Sequence, residues 1–197
     1  REAVIQANGT PEADTVVLAA GTYALTRSSP GADLDTDGDL EVAAAGGPLT
    51  ILGTGPGLGA GSSVIQAAFA GTTDRVLTVA PGGNLTLSRV TLTGGQAAFA
   101  GGGILVAGNP DGAATRLTLD NAQVSGNTVT SNAALGGGIF AGGGGLYAVS
   151  VTNGSRVDGN TARSTGQGGF AWGGGIYGGA PTGTGSIAVT DSTVSNN

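Results

Sequence analysis

Gly101-Gly102-Gly103-Ile104 returns as Gly136-Gly137-Gly138-Ile139 and again as Gly173-Gly174-Gly175-Ile176, and this repetition decides the fold. The three isoleucines are separated by 35 and 37 residues. Repeats of this length are typical of solenoid proteins, in which each unit is too small to form its own core and packs on its neighbours. The second half of the chain is therefore predicted to be a continuous stack of similar coils.

A second phrase lies between the glycine motifs and indicates how the coils are wound. It runs from Leu117 to Asn127, from Val149 to Asn160 and from Ile187 to Asn197, with short runs of alternating apolar and polar residues. Similar segments follow one another in the same chain direction. This favours parallel strands one coil apart, at a rise of about 4.8 Å, over antiparallel hairpins joined by tight turns.

The same alignment predicts two details of the corners. Asn127, Asn160 and Asn197 are expected to stack in a ladder, because asparagine tolerates a left-handed backbone and its amide can hydrogen-bond to those above and below. The variable stretches 108–114 and 161–170 are expected to be loops at a single edge, since the repeat length changes there without loss of register.

The first half of the chain has strand signals at less regular intervals. Apolar runs such as Thr15–Leu18 and Leu49–Leu52 are separated by glycine and proline. Residues Arg1–Asn8 have the spacing of a short helix, which we expect to cover the first coil because an uncovered solenoid end exposes strand edges.

The chain is thus predicted to be all-β, a right-handed single-stranded parallel β-helix (β-solenoid) of about six coils with a short N-terminal capping helix. Residues 1–84 are expected to form the cap and the irregular first coils. Residues 85–197 are expected to form the regular β-helix repeats, and the array is expected to continue beyond them.

The opening of the chain resembles a known family. Arg1–Asn8, Ala13–Leu18 and Gly21–Tyr23 are similar to the N-terminal module of secreted bacterial parallel β-helix repeat proteins, which usually opens Cys-Ser-Leu-Arg-Glu-Ala (CSLREA). This chain begins at the arginine, so the Cys-Ser-Leu is absent. Leu49–Gly53 and Leu85–Gly95 also look like the family. The resemblance implies a large exported or surface protein with a right-handed β-helix and no assigned catalytic residues.

Composition excludes several classes of function. The 197 residues include no Cys, Met or His and carry a net charge of −6, of which residues 1–74 contribute nine acids and two arginines. There is no basic stripe to neutralise nucleic-acid phosphates. No apolar run reaches the about 20 residues that span a bilayer. Because Met is absent, residue 1 is not expected to be a translation start, and the chain is expected to be a piece of a larger protein.

The densest group of potential metal ligands is the acidic run Asp33-Leu34-Asp35-Thr36-Asp37-Gly38-Asp39. Carboxylates at every second position followed by glycine match the first half of a calcium loop, in which hard oxygens converge on the ion. The twelfth position of such a loop should be glutamate, but here it is Ala44. The run is therefore either a solvated acidic turn or a calcium site that braces a loop, with the ligands Asp33, Asp35, Asp37 and Asp39. No other cofactor is predicted.

No catalytic residue is predicted. A polysaccharide lyase or glycoside hydrolase is the enzyme suggested by analogy of fold, and either needs an acid close to a base or to a second carboxylate. In the regular repeats Asp120 and Asp191 are expected at neighbouring positions that face opposite ways, and Asp158 on another edge. With no Lys, His or Cys in the chain, no good base is available to activate a serine or threonine.

Aromatic residues are concentrated late in the chain: Phe140, Tyr147, Phe170, Trp172 and Tyr177. Phe140 and Tyr177 directly follow inward-pointing isoleucines and are expected to form an internal stack. Trp172 is expected in a long loop before Gly173, where it could be exposed and bind a sugar or a protein partner.

These observations favour a structural or adhesive β-solenoid module of a larger exported bacterial protein, secreted or at the cell surface, which could be the subunit of an extracellular fibre. In a fibre, copies of the chain are expected to stack end to end. The alternative is a carbohydrate-binding or polysaccharide-degrading β-helix module whose partners are cell-surface or environmental glycans. Neither a nucleic-acid partner nor a membrane-spanning segment is expected.

Overall fold

The computed structural model describes residues 1–27, 36–55, 58–59, 61–179 and 184–197, and it is a parallel β-solenoid of about five turns. Strands one repeat apart pair in the same direction: Leu85 pairs with Leu117, and Leu117 pairs with Val149. The predicted parallel winding is confirmed. About six coils were expected, and the structure has about five turns; in the described residues its last turn contributes strands to the first and second sheets.

The described residues form one helix, α1 (Glu2–Asn8), and 22 strands, numbered here in chain order. The strands are β1 (Asp14–Leu18), β2 (Gly21–Leu25), β3 (Leu40–Val42), β4 (Leu49–Gly53), β5 (Ser63–Ala67), β6 (Leu77–Val79), β7 (Asn84–Ser88), β8 (Val90–Thr93), β9 (Gln96–Ala97), β10 (Ile104–Ala107), β11 (Thr115–Asp120), β12 (Gln123–Ser125), β13 (Thr128–Ser131), β14 (Ala133–Leu135), β15 (Ile139–Gly142), β16 (Tyr147–Thr152), β17 (Arg156–Asp158), β18 (Thr161–Ser164), β19 (Phe170–Trp172), β20 (Ile176–Gly179), β21 (Gly185–Val189) and β22 (Thr193–Ser195). Each strand has six residues or fewer, so it forms only one side of a coil.

Three long sheets form the sides of the solenoid. The first sheet has the order β1-β4-β7-β11-β16-β21, the second β2-β5-β8-β12-β17-β22 and the third β3-β6-β10-β15-β20. Strands from both sides of residue 84 belong to the same sheets, since β4 pairs with β7 and β5 pairs with β8. The chain visits the first, second and third sheets in turn and then rises to the next coil.

Matching apolar side chains form columns in the core. Two register positions of the first sheet show this, with Leu85, Leu117 and Val149 in one column and Leu87, Leu119 and Val151 in the other. All six are at most 1 % exposed. Residues between them, such as Thr118, face outward, as the two-residue period of a strand requires. Burying each such side chain contributes about 1.5–3 kcal/mol, and the contribution depends on the coils above and below.

The Gly-Gly-Gly-Ile motif forms the corner before the third sheet. Its first glycine has a left-handed backbone, with φ of 59° at Gly136, which glycine adopts without steric cost. A Cβ on the second glycine, Gly137, would overlap the Gly174 carbonyl oxygen of the next coil. A Cβ on the third, Gly138, would lie 2.7 Å from the Gly175 carbonyl oxygen. The motif therefore lets successive coils approach closely.

The predicted asparagine ladder is present at the end of the second sheet. The Nδ2 group of Asn127 donates to Oδ1 of Asn160, and the Nδ2 group of Asn160 donates to Oδ1 of Asn197, both at 3.0 Å. The ladder asparagines are not left-handed, and in this respect the prediction was wrong. Their side chains must point into the coil, so the bend is made by the preceding residues: Gly126 (φ 64°), Gly159 (62°) and Asn196 (54°).

A second left-handed corner joins the first and second sheets. Its members occupy one register position in successive coils, with φ between 48° and 56°: Arg89, Asn121, Asn153 and Asp191. Asparagine and aspartate are several-fold enriched in this conformation. Asp191 occupies the position that follows that of Asp120, so the expected neighbouring placement of these two acids is confirmed.

Helix α1 covers the first turn, as predicted. Val4 and Ala7 are buried and belong to the main core. The Asn8 side chain protects the free edge of β3, because its Nδ2 group donates to the Glu41 carbonyl at 2.8 Å and its Oδ1 atom accepts the Ala43 N–H at 3.0 Å. An exposed strand edge invites pairing with other chains, and α1 makes this less favourable at the N-terminal end.

Two short extra sheets form a wing between the second and third sheets. One contains β9, β13 and β18, and the other contains β14 and β19. The wing consists of residues 96–100, 128–135 and 161–172, which are five, eight and twelve residues long in successive coils. The stretch 161–170 is thus partly strand, whereas 108–114 connects the third sheet to the first. The prediction of loops at a single edge was wrong, because the longer excursions pair with one another.

Candidate functional site

An aromatic cleft lies between the wing and the outer side of the third sheet. The wing supplies one wall, in which Leu135 of β14 pairs with Trp172 of β19. The third sheet supplies the other, in which Phe140 of β15 pairs with Tyr177 of β20. The cleft has a volume of about 520 Å³ and is lined by Phe99, Leu135, Phe140, Gly143, Phe170, Trp172, Tyr177 and Gly179.

Four rings of the cleft form a continuous row. The ring centroids of Phe170 and Trp172 are 4.4 Å apart, those of Trp172 and Tyr177 5.6 Å, and those of Tyr177 and Phe140 6.0 Å. The interplanar angles are 26°, 34° and 20° in the same order. These separations are near or within the range at which aromatic pairs attract each other, so the rings of the row support one another.

The predicted exposure of Trp172 is confirmed, since 49 % of its surface is accessible. Its position is different from the prediction. Trp172 ends strand β19 instead of lying in a loop, because the twelve-residue excursion of its coil pairs with the excursion before it. A role of Trp172 in binding stays a prediction.

Phe140 and Tyr177 stack on each other as expected, but not inside the solenoid. Phe140 lies between Ile139 and Ala141, which belong to the main core, so strand alternation directs its ring outward. It is nevertheless buried, because the wing covers it. The expectation of an internal stack was wrong, because the repeated sequence pattern does not show that the wing covers this outward-facing ring.

Two lining residues were missed by the sequence analysis, Phe99 and Leu135. Leu135 immediately precedes a Gly-Gly-Gly motif, as Trp172 does, and the two share a register position. This shared position directly before the glycine motif is the sequence signal that could have identified Leu135 as a lining residue. Phe99 immediately precedes Ala100, which bridges to Leu135, and its exposed ring lines the cleft from the preceding coil.

The cleft carries little charge. Among its lining residues Tyr177 alone has an ionisable side chain. The neighbouring Tyr147 is a core residue whose ring lies against Gly185. Burial raises the pKa of Tyr147 above its usual value, and the nearby Tyr177 adds to this shift. No lining residue of the cleft is Asp, Glu, Lys, Arg or His, so the cleft is mainly an apolar surface.

The acidic loop is only partly within the described residues, and Asp33 and Asp35 lie outside them. Asp39 is buried, and its Oδ2 atom accepts a hydrogen bond of 2.6 Å from Thr78 Oγ1. The Arg1 guanidinium donates to the backbone carbonyls of Asp37, Gly38 and Asp39. Here a side-chain cation already occupies carbonyl oxygens of the kind that a calcium loop offers to its ion.

Calcium binding at this loop stays a prediction. In the part of the chain that the structure describes, no three His, Cys, Asp or Glu side chains are grouped closely enough to hold a metal ion. Asp37 and Asp39 are the two predicted ligands in that part, and a calcium site would need Asp33 and Asp35 in addition.

The acids of the regular coils are held separately. Asp120, at the end of β11, accepts hydrogen bonds from Ser88 Oγ at 3.1 Å and from Asn153 Nδ2 at 2.6 Å. Asp158, in the second sheet, accepts from Gln123 Nε2 at 2.9 Å. Each carboxylate links two or three adjacent coils through neutral partners, and the two acids lie on different sheets. Whether the chain is an enzyme stays a prediction.

Comparisons with known proteins add no relative. No protein-family model, no curated protein and no solved structure matches the chain. The resemblance to exported bacterial β-helix proteins with a CSLREA-type module therefore stays a prediction, whereas the β-solenoid itself is shown by the structure. Among the described residues there is no helix with the length and apolar character needed to traverse a bilayer.

Proposed function

We propose that this chain is a structural module of an exported bacterial surface protein. Its role is that of an elongated scaffold that extends the protein. The observation that supports the proposal is the unbroken stacking of matching residues in successive coils. Apolar columns run through the first sheet, and the buried asparagine ladder runs beside the second. Each coil is stabilised mainly by its two neighbours, so length can increase at nearly constant free energy per coil.

The two ends of the solenoid are not equivalent, and this bears on how copies could assemble. The N-terminal end is covered by α1. The last rung is open: its inward-facing residues Ile187, Val189 and Val194 are each more than a third exposed, and β21 and β22 have a neighbour on one side only. Such an edge readily accepts another strand.

For the isolated 197-residue segment, in which no further coil covers the last rung, we infer that end-to-end assembly uses the open ends of two copies. A head-to-tail fibre would require α1 and the Asn8 side chain to leave the edge of β3. A tail-to-tail pair needs no such rearrangement, and it buries the apolar residues of both last rungs. A homodimer with twofold symmetry is the result expected for the 197-residue chain.

Light scattering coupled to size-exclusion chromatography tests this assembly. The wild-type chain is expected at twice its 18.6 kDa mass. Val189→Lys, which places a charge on the open apolar rung, is expected to give a monomer. Ala188→Lys is the matched control, because it adds the same charge on the opposite side of β21, and it should leave the dimer intact. A monomeric wild type, or equal loss in both variants, would contradict the proposal.

Surface location is tested separately with antibodies raised against the chain. In the source bacterium they are expected to label intact cells or the culture medium. Labelling that appears only after lysis would contradict the exported location. The adhesive role is tested by competition, since the added soluble chain should reduce attachment of the cells to their surface if it carries the contact.

A further inference from the structure

We propose that the aromatic cleft binds a neutral polysaccharide, whose sugar rings pack against the exposed surfaces of Phe170, Trp172 and Tyr177. This inference goes beyond the scaffold role and does not depend on it. A solenoid that only provides length has no need for an exposed row of aromatic rings on its side.

The first argument is that the exposure of aromatic rings to water is unfavourable. Trp172, Phe170 and Phe99 are all exposed, although aromatic side chains are the largest contributors to burial in most proteins. A contiguous apolar surface of this kind usually marks a binding site. The volume of about 520 Å³ is within the range of ligand-binding clefts.

The second argument is geometry. Trp172 and Phe170 belong to β19, and Tyr177 belongs to β20, so paired strands hold the rings in place. A pyranose ring has a flat face of C–H groups and a polar rim of hydroxyls. That shape matches a rigid aromatic surface with water at its border better than a flexible aliphatic chain does.

The third argument selects a neutral ligand. None of the lining residues is Lys, Arg or His, so the cleft offers no cationic side chain to an anionic ligand. A uronate, sulfate or phosphate would lose its hydration on the rings without gaining a cationic partner, which is unfavourable.

The fourth argument favours a polymer over a single sugar. The wall that contains Phe99, Leu135 and Trp172 extends over three successive coils. Two intervals between coils correspond to about 10 Å along the solenoid. A polysaccharide that lies along the axis would contact all three coils, and its affinity would rise with the number of sugars in contact.

Trp172 is the only tryptophan of the chain, so its fluorescence reports directly on the cleft. The experiment titrates the purified chain with soluble hydroxyethylcellulose, β-glucan, mannan and starch, and with polygalacturonate as the charged comparison. A shift of the emission to shorter wavelength is expected with at least one neutral polymer and not with polygalacturonate. Phe170→Ala, which keeps the reporter, is expected to weaken binding about tenfold or more.

Tyr23→Ala is the matched control, because it removes an exposed aromatic ring far from the cleft and should leave binding unchanged. Phe170 is exposed on an edge strand, so its variant should fold, and an unchanged melting temperature checks this. The titration is repeated in Val189→Lys, which separates ligand binding from pairing of copies. No shift with any neutral polymer, preferred binding of polygalacturonate, or binding that survives Phe170→Ala would overturn the proposal. The Val189→Lys variant is also diluted in the absence of any polymer. If its emission maximum changes on dilution, the cleft is occupied by a second copy of the chain, and this result would also overturn the proposal.

Discussion

The asparagine ladder gives the sharpest test of the packing, through the substitution Asn160→Ala. Asn160 is 1 % exposed. Its Oδ1 atom accepts from the Asn127 backbone N–H at 3.1 Å and from Asn127 Nδ2 at 3.0 Å. Its Nδ2 group donates to the Val124 carbonyl at 2.9 Å and to Asn197 Oδ1 at 3.0 Å. The substitution removes these bonds from a site that water does not reach.

The expected loss can be estimated from the two backbone groups involved. A buried polar group that loses its partner costs about 1–3 kcal/mol, and the Asn127 N–H and the Val124 carbonyl are both affected. We therefore expect Asn160→Ala to lower the free energy of unfolding by about 3 kcal/mol. Urea unfolding followed by circular dichroism measures the change as a shift of the midpoint.

Asn197→Ala is the matched control at the end of the same ladder. Asn197 accepts from the Asn160 N–H at 3.0 Å and donates to the Val157 carbonyl at 2.9 Å, but it is exposed. Water can replace its hydrogen bonds, so we expect a loss below about 1 kcal/mol. Equal losses in the two variants would refute the reasoning that burial makes the ladder important.

Three further predictions concern the coils. Gly137→Ala places a methyl group against the backbone of the next coil, and it should lower the free energy of unfolding by about 3 kcal/mol or more. At Gly168 the space is open and only the backbone φ of 76° is unfavourable for alanine. Gly168→Ala should therefore lower the free energy of unfolding by about 1–2 kcal/mol in the same urea assay. Leu119→Ala should cost about 2–5 kcal/mol and Ile187→Ala clearly less, because Ile187 lies on the open rung; equal costs would contradict the layered core. The raised pKa of Tyr147 means that the folded state holds its proton more tightly than the unfolded chain, so stability should be full below about pH 10 and fall as the pH rises further. Melting temperatures of Tyr147→Phe should lack this part of the alkaline decrease, and an unchanged profile would refute the assignment.

The central part of the fold was predictable because its signals are local and repeated. Leu85, Leu117 and Val149 have the same position in each phrase, so their stacking follows from the period alone. The helix over the first coil also followed from a local pattern in residues 1–8. In both cases the residues that signal the element are the ones that form it.

The contacts that were not predicted depend on partners far away in the chain. Asp39 belongs to a run that indicates metal binding, yet it accepts a hydrogen bond from Thr78, 39 residues later. Phe140 alternates outward like a surface residue, and it is buried only because the wing lies over it. The wing itself has short polar strands such as Thr161–Ser164, whose pairing depends on the excursion of the preceding coil.

The position of the aromatic cleft follows from the same division between repeated core and variable wing. Ala97, Val129 and Ala134 form a small apolar cluster in the wing that is separate from the main core. Lengthening an excursion from five to twelve residues therefore changes the outside of the solenoid while its columns stay in register. Because the main core does not constrain these residues, the wing can acquire side chains such as Phe170 and Trp172 with little cost to the fold. A binding function that differs between solenoids of this kind is for this reason expected in the wing, whereas the columns determine length and stability.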